Sequence, residues 1–329
     1  MIILNPHSYT PPSPLVDHQE GYQRTVLQEI SLLDLTKPLP LLEQGSIVLL
    51  GFSSDEGVKR DLGRFGAADG PSYLIHTLKK FPWSFPQKIS LWDAGSICFP
   101  DNRLEEGEKL LEEIVAALRA QGAFVIVIGG GHELSWGHFQ GIVKSLFSPE
   151  EKLSIDVLHL GAHFNLKPLF PHQQVSSGNS LHQIYEYSQK KRIESRYAYL
   201  GIQSHSNTFE SFKYADSIKA YAALADEMIN QPEKIHQALE DWLALSKKIY
   251  LTLSLDVFAA AFAPGVSAPQ ALGMSPHQLL PFFRQVLASG KVAGFDIAEL
   301  NPIYDQDGHT ARLAVSLLLE VLKAISQYH

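Results

Sequence analysis

From residue 46 onward, two hydrophobic patterns alternate along the chain. Seven segments are mainly apolar without alternation, which is typical of strands buried on both faces; they cover residues 46–52, 89–94, 123–128, 155–160, 197–202, 248–255 and 292–296. Seven others repeat their apolar positions with a helical period; they cover residues 72–80, 103–120, 134–146, 218–229, 232–245, 276–288 and 310–327. This alternation predicts a three-layer αβα domain, with a mostly parallel sheet of about eight strands and helices on both faces.

Residues 1–45 do not follow this alternation. Prolines at positions 6, 11, 12, 14, 38 and 40 interrupt the segment, so we predict an irregular N-terminal arm with at most a short helix near residues 22–33. No Ser/Gly-rich or highly charged linker divides the remainder. We therefore predict a single domain over residues 46–329.

Composition excludes several classes of protein. The chain has 27 Lys plus Arg against 35 Asp plus Glu, a net charge of −8, which argues against a nucleic-acid partner. No apolar run reaches membrane-spanning length and residues 1–19 lack a signal-peptide pattern, so we expect no membrane partner and a cytoplasmic location. The single cysteine, Cys98, excludes an internal disulfide and a Cys-based metal site.

The candidate chemistry lies in loops that follow the predicted strands. Because the carboxyl ends of parallel strands meet at one edge of the sheet, these loops are expected to share a site. The first, residues 51–71, contains five glycines and the cations Lys59, Arg60 and Arg64. These cations suit a carboxylate or a phosphate, and the alternative is an ordinary solvated loop.

Two further loops carry histidines that could bind a metal. His132 follows three glycines at the start of a predicted helix. If the strand at 155–160 continues in the same conformation, His159, Gly161, His163 and Asn165 share one of its faces. Imidazoles in this position suit zinc, nickel, manganese or iron. Histidines that are hydrogen-bonded in a polar pocket are the alternative.

The last two loops supply acids. Ser254 and Asp256 lie on one face at the end of the strand at 248–255, before a loop that contains two prolines. Glu299 lies just beyond the final predicted strand. An acid at the carboxyl end of a parallel strand is well placed to contact a ligand.

These loops, in this order, resemble those of the ureohydrolase superfamily, which includes arginases, agmatinases and, most similar to this chain, formiminoglutamases. The segments that carry the resemblance are GFSSDEGVKRDLGRFGAADGP (51–71), SLDVFAAAFAPGVSAPQALG (254–273), FDIAELNPIYDQDGHTARLA (295–314) and SGN (177–179). The resemblance covers residues 45–329 and implies an arginase-like fold and a homo-oligomer. It also implies a hydrolase in which two manganese ions activate a bridging hydroxide against a guanidinium or formimino C–N bond.

The same resemblance assigns roles to individual residues. Glu299 matches the acid that receives the substrate's amidine or guanidinium group. Ser177 and Asn179, with the cations of the first loop, are expected to hold the carboxylate of an amino-acid-derived ligand. His132, His163 and Asp256 match three of the family's six metal ligands.

The other three ligand positions have lost their carboxylates: aspartate in the family is replaced by Gly161, Asn165 and Ser254 here. Two divalent ions bring a charge of about +4, which a single remaining carboxylate leaves largely unneutralised in a low-dielectric cleft. We therefore expect that the two-manganese cluster does not assemble.

Three hypotheses follow. In the first, the chain is a formiminoglutamase-like homologue that binds a small amino-acid-derived ligand without hydrolysing it and holds no metal at full occupancy. In the second, it is an active hydrolase of a linear amidine or guanidine, such as N-formimidoyl-glutamate, with one or two divalent ions (zinc, iron or manganese) in an altered site. His159 is then a candidate extra ligand. A histone-deacetylase-like zinc amidohydrolase is the third, and it fits the first loop and the final motif poorly.

Overall fold

The computed structural model describes residue 4 and residues 7–13, 24–85, 89–99, 103–148, 152–168 and 174–328. Ten strands in these ranges form one sheet: β1 (Tyr9–Thr10), β2 (Ile30–Leu32), β3 (Ile47–Ser53), β4 (Leu91–Cys98), β5 (Phe124–Gly129), β6 (Asp156–Leu160), β7 (Tyr197–Ile202), β8 (Tyr221–Leu224), β9 (Ile249–Ser254) and β10 (Val292–Ala298). Their order is β1-β4-β3-β5-β10-β9-β6-β7-β8, and β2 also pairs with β4.

Eleven α-helices surround the sheet in the same ranges: α1 (Val26–Glu29), α2 (Glu56–Arg60), α3 (Gly70–Lys79), α4 (Leu104–Arg119), α5 (Leu134–Leu146), α6 (Ser180–Lys191), α7 (Phe209–Ser217), α8 (Ala225–Asn230), α9 (Pro232–Leu245), α10 (Pro276–Ala288) and α11 (His309–Tyr328). Helices α2, α6 and α7 were not predicted from the sequence. The predicted helices at 72–80, 103–120, 134–146, 232–245, 276–288 and 310–327 correspond to α3, α4, α5, α9, α10 and α11.

The sheet is parallel except where β1 pairs antiparallel with β4. Strands β3 to β10 form a continuous run of eight, so the predicted mostly parallel sheet is confirmed. Alternate residues of β3 face opposite sides: Ile47 and Leu49 pack with α3 and α9–α11, whereas Val48 and Leu50 pack with α4–α6. The three-layer αβα architecture follows from this burial on both faces.

One predicted element has the wrong type. The pattern at residues 218–229 predicted a helix, but Lys219 adopts a φ of 55° just after α7, and the chain then enters strand β8. This four-residue strand pairs with β7 before α8 begins. Pairing at the sheet edge outweighs the helical propensity of its two alanines.

The N-terminal arm is more ordered than predicted, although residues 1–3, 5–6 and 14–23 lie outside the described ranges. The rest of the arm contributes β1, α1 and β2. Tyr9 is buried, and its hydroxyl donates to the Ala94 carbonyl at 2.9 Å. This contact ties the arm to strand β4.

None of the helices in these ranges is long and apolar enough to cross a membrane.

Candidate functional site

A cavity of about 240 Å³ opens at the carboxyl edge of the sheet. Its lining includes residues from all of the predicted loops: Asp61, His132, His163, Asn165, Ser177, Asp256 and Glu299. Parallel pairing of β5, β10, β9 and β6 brings these loops together, because each loop follows the carboxyl end of its strand.

His163 and Asp256 form a close pair in this cavity. His163 Nδ1 lies 2.7 Å from Asp256 Oδ2, and Asp256 Oδ1 accepts the Ala162 N–H at 3.1 Å. Burial acts to lower the pKa of His163, but the charge and hydrogen bond of Asp256, together with the Glu299 charge, raise the pKa above its usual value. Burial likewise acts to raise the pKa of Asp256, which His163 instead holds well below its usual range. Each member of the pair therefore favours the charged form of the other.

His132 is held by hydrogen bonds at both ring nitrogens. Asn165 Nδ2 lies 3.1 Å from Nδ1, and Thr252 Oγ1 lies 2.8 Å from Nε2. The ring is buried, and this burial lowers its pKa. A neutral imidazole that accepts from Asn165 and donates to Thr252 satisfies both contacts.

Behind His132 lies a buried network around Asp296, an acid at the end of the last predicted strand. The Asp296 carboxylate accepts hydrogen bonds from the hydroxyls of Thr252 and Tyr250, and from Ser135 Oγ at 3.3 Å. His138 Nδ1 lies 2.9 Å from Asp296 Oδ2. Burial acts to raise the pKa of Asp296, but His138 and the hydroxyl donors lower it. The alternation of Tyr250 and Thr252 on one strand face is the sequence signal for this network.

The space that a side chain at position 161 would need is occupied by the His159 ring. A Cβ at Gly161 would lie 2.2 Å from His159 Nε2, which itself lies 3.0 Å from the His163 carbonyl oxygen. Strand β6 ends at Leu160 and Asn165 has a φ of 50°, so the predicted shared strand face through residue 165 is wrong. Burial lowers the pKa of His159 to about 3, which keeps this imidazole neutral.

The residues present do not fit two divalent ions. Among the described residues, no group of three or more His, Cys, Asp or Glu side chains is placed to hold a metal ion. Both nitrogens of His132 are engaged, and Ser254 supplies a hydroxyl at a position where the resemblance leads one to expect a carboxylate. A hard cation gains little from such neutral groups.

Glu299 connects two of the loops. Its N–H donates to the Gly130 carbonyl at 2.8 Å, and its Oε1 accepts the His132 N–H at 2.9 Å. Its φ of 76° is uncommon for a residue with a side chain and marks local strain. Burial, reinforced by the Asp256 and Glu133 charges, raises its pKa to about 8. A cationic ligand would favour the ionised form of this acid.

Lys167, Ser177 and Gly178 also line the cavity and surround the carboxylate of Asp61. Asp61 Oδ2 accepts the Gly178 N–H at 2.6 Å and Ser177 Oγ–H at 3.2 Å, and Oδ1 accepts from Lys167 Nζ at 2.7 Å. Asn179 does not line the cavity; its Oδ1 accepts the Ser176 N–H instead. Asp61 and Lys167 were not predicted as site residues.

The three cations of the first loop are engaged elsewhere in the protein. Lys59 pairs with Asp55 at 2.7 Å, and Arg60 pairs with Glu105 at 2.7 Å. The Arg64 guanidinium lies over the Tyr304 ring, 4.8 Å from its centroid. In the described part of the chain, none of the three lines the cavity.

Comparison with known proteins matches residues 45–323 to the arginase family. A protein named formimidoylglutamase from Clostridium tetani is 35% identical over 291 residues, 88% of this chain and 86% of that protein. Another of that name, from Streptococcus gordonii, is 36% identical over 303 residues and 91% of each chain.

Solved structures give the same fold. The formimidoylglutamase of Bacillus subtilis has a TM-score of 0.81 at 18% identity and covers 95% of both chains. The formiminoglutamase of Trypanosoma cruzi, solved with Mn²⁺, has a TM-score of 0.77 at 24% identity and covers 93% of this chain and all of its own. At these identities the structural similarity is evidence for the fold only.

Proposed function

This chain belongs to the arginase family, as a formimidoylglutamase-like member, and from that membership we propose that its cleft binds an amino-acid-derived amidine without a two-metal hydrolytic centre. The names of the sequence relatives suggest a ligand of the N-formimidoyl-glutamate type. The site's own residues argue against the two-metal part of the family's chemistry.

The observation that carries this proposal is the packing of His159 into the side-chain space of position 161. An oxygen ligand at that position would collide with the imidazole, since the Cβ alone lies 2.2 Å from it. His132 is tied into the hydrogen-bond chain from Asn165 to Thr252. These contacts engage both ring nitrogens of His132 and fill the side-chain space at position 161, so neither position offers a ligand atom to a cation in this arrangement.

The ligand-binding part of the proposal rests on the polarity of the cavity. Asp256 and Glu299 supply carboxyl groups to its lining, with which an amidinium would form charge-assisted hydrogen bonds. Lys167, Ser177 and Gly178 supply donors that hold the Asp61 carboxylate here and that suit the carboxylate of a ligand. A molecule with an amidinium at one end and a carboxylate at the other complements both.

Hydrolysis of the same ligand is the second candidate function. The identities of 35% and 36% over nearly the whole chain to proteins named formimidoylglutamase favour it. His132, His163 and Asp256, which the family uses as ligands, also still line one cavity. Such an enzyme would need one or two divalent ions in a site rearranged from the one seen here.

Metal analysis distinguishes the two candidates. The purified protein would be dialysed separately against Mn²⁺, Zn²⁺ and Fe²⁺, and its metal content and formamide release then measured. We expect less than about half a metal ion per chain and no metal-dependent release of formamide. Near-stoichiometric metal that is lost in an Asp256→Ala variant would overturn the metal-deficient proposal, and manganese-dependent formamide release would establish the hydrolase.

Binding is tested by calorimetry with N-formimidoyl-L-glutamate. Glu299→Gln is expected to weaken binding about tenfold or more, because it removes a charge-assisted contact to the amidinium. The matched control is Glu194→Gln, which removes a surface carboxylate that pairs with Lys152. Equal affinity in the Glu299 variant and the wild type would show that Glu299 does not contact the ligand.

A further inference from the structure

The environment of Asp61 differs from that of an ordinary surface acid. Its carboxylate receives a backbone N–H from Gly178, a hydroxyl from Ser177 and the ammonium of Lys167. All three donors come from chain segments more than one hundred residues away, and all four residues line the cavity. The donors therefore form a carboxylate receptor that belongs to the cleft and is occupied by a side chain of the first loop.

Position 178 has room for this contact only because it is glycine. A Cβ there would lie 2.6 Å from Asp61 Oδ2 and 2.9 Å from Lys167 Cδ. Lys167 keeps 58% of its side chain exposed, so its ammonium can be reached from the cleft. The receptor is thus compact and accessible to a small molecule.

The backbone on both sides of Asp61 is held in place, so only its side chain has to move to vacate the three donors. The Gly63 N–H donates to the Val58 carbonyl at 2.9 Å, and Asn301 Nδ2 donates to the Phe65 carbonyl at 3.0 Å. Leu62, the next residue, is 94% exposed, so it adds no buried side chain beside Asp61. Exchange of the Asp61 carboxylate for a ligand therefore leaves the backbone hydrogen bonds of the first loop intact.

We propose that Lys167, Ser177 and Gly178 form a carboxylate-binding site whose resident occupant is Asp61, and that a carboxylate ligand binds by replacing it. The entering carboxylate makes the same three contacts that the aspartate gives up, so the contact free energies before and after the exchange are similar. Asp61 thereby lowers the apparent affinity for the ligand by the fraction of time that it occupies the site. This inference rests on the proposed function only for the identity of the natural ligand.

Chemical rescue with acetate tests the site itself. An Asp61→Ala variant would be unfolded thermally in sodium acetate and in sodium chloride at equal ionic strength. Acetate binds the three vacated donors, so it is expected to raise the midpoint by about 2–4 °C over chloride. The wild type, whose site is filled, is expected to show no such difference.

The chain offers a closely matched control in Asp34. Its carboxylate also accepts a backbone N–H and a hydroxyl, both from Thr36, and pairs with Lys37 at 3.1 Å. These donors are local and lie outside the cavity, so acetate should not rescue Asp34→Ala. An acetate response equal in the Asp61 and Asp34 variants, or one that survives Lys167→Met in the Asp61→Ala background, would overturn the proposal.

A second variant covers the case in which Asp61→Ala does not fold. Asp61→Asn keeps the size of the side chain but loses the charge that holds Lys167. Calorimetry with sodium glutarate is expected to give an affinity about tenfold higher for this variant than for the wild type. Unchanged or weaker affinity would contradict the proposal.

Failure of this inference can be told apart from failure of the proposed function. Acetate rescue without any binding of N-formimidoyl-L-glutamate would support the carboxylate site and exclude the proposed amidine as its ligand. The opposite result is Glu299-dependent binding of N-formimidoyl-L-glutamate with no acetate rescue and no gain in affinity for Asp61→Asn. It would support the proposed function and contradict the carboxylate site.

Discussion

At the scale of single residues, Gly161 and His159 are best understood together. The imidazole of His159 lies where a side chain at 161 would start, and its Nε2 approaches the His163 carbonyl oxygen. Either residue alone would be unremarkable in a sequence. Together they show that the loop is packed in a way that leaves no room for a side chain at position 161.

This pairing makes a prediction about restoring the family's ligand. Gly161→Asp alone is expected to lower the free energy of unfolding by about 1–3 kcal/mol, because it overpacks a closed site. His159→Ala opens that space, so the cost of Gly161→Asp should be smaller in the double variant. Urea unfolding of all four proteins measures the coupling. Additive effects of the two substitutions would show that the residues do not share the space.

Sequence reasoning identified individual site residues better than their partners. His132, His163, Asp256 and Glu299 were named from their positions and do line one cavity. Asp61 and Lys167 were missed, because a loop acid and a loop lysine carry no periodic signal. Whether Ser177 and Glu299 contact a ligand stays a prediction, as does the role of the first-loop cations.

At the scale of elements, strand β9 joins the core to the site. Leu251 and Leu253 pack on one face of the sheet, while Tyr250 and Thr252 point to the other and meet Asp296 of β10. Thr252 also contacts His132 and Ser135 beside helix α5. One hydroxyl therefore links two strands to the loop that holds His132.

Replacing this hydroxyl with a methyl group should be costly. Thr252→Val leaves His132 Nε2 without its partner and removes a donor from the buried Asp296, so we expect a loss of about 2–3 kcal/mol. The control is Thr77→Val on α3, where the hydroxyl only donates to the Tyr73 carbonyl within the helix. That change should stay within about 0.5 kcal/mol. Equal losses in chemical denaturation would mean that the Thr252 links add no stability.

Long, strongly apolar elements were predicted well, and short ones were not. Strands such as β5 and β9 are buried over their whole length, and burial on both faces leaves a clear pattern. Strand β8 has four residues and α2 has five, so neither completes enough periods to be recognised. Their form is set by pairing and capping with distant parts of the chain.

At the scale of the whole molecule, the protein buries several ionisable groups around its central sheet. Glu133 is fully buried; its Oε1 accepts from Ser54 and Gly57, and Oε2 has no partner among the described residues. Burial raises the pKa of Glu133 to about 7. Ionisation of this acid in the folded state therefore works against global stability.

The pH dependence of stability should reveal this cost. The folded pKa lies above the unfolded one, so the stability that protonated Glu133 contributes is present below about pH 4.5 and is lost as the pH rises through about 7. Glu133→Gln cannot ionise, and its stability relative to the wild type should increase by about 3 kcal/mol between pH 4.5 and 8. Denaturant unfolding at several pH values measures this difference. A difference that does not vary with pH would contradict it, and the exposed Glu210→Gln serves as control.

The fold class could be predicted from the sequence because it depends on the order and burial of the long elements. The ability of the cleft to bind metal depends instead on sub-ångström placement of a few side chains. The loss of three family carboxylates is a prediction from the sequence, whereas the packing of His159 into the side-chain space of position 161 required the structure.

The occupied carboxylate site also has a kinetic consequence. If the Asp61 side chain must leave Lys167, Ser177 and Gly178 before a ligand's carboxylate enters, association cannot be faster than this departure. The observed rate would rise with ligand concentration only until the departure of Asp61 becomes limiting, and would then level off. In an Asp61→Ala variant, the same rate would keep rising in proportion to the ligand.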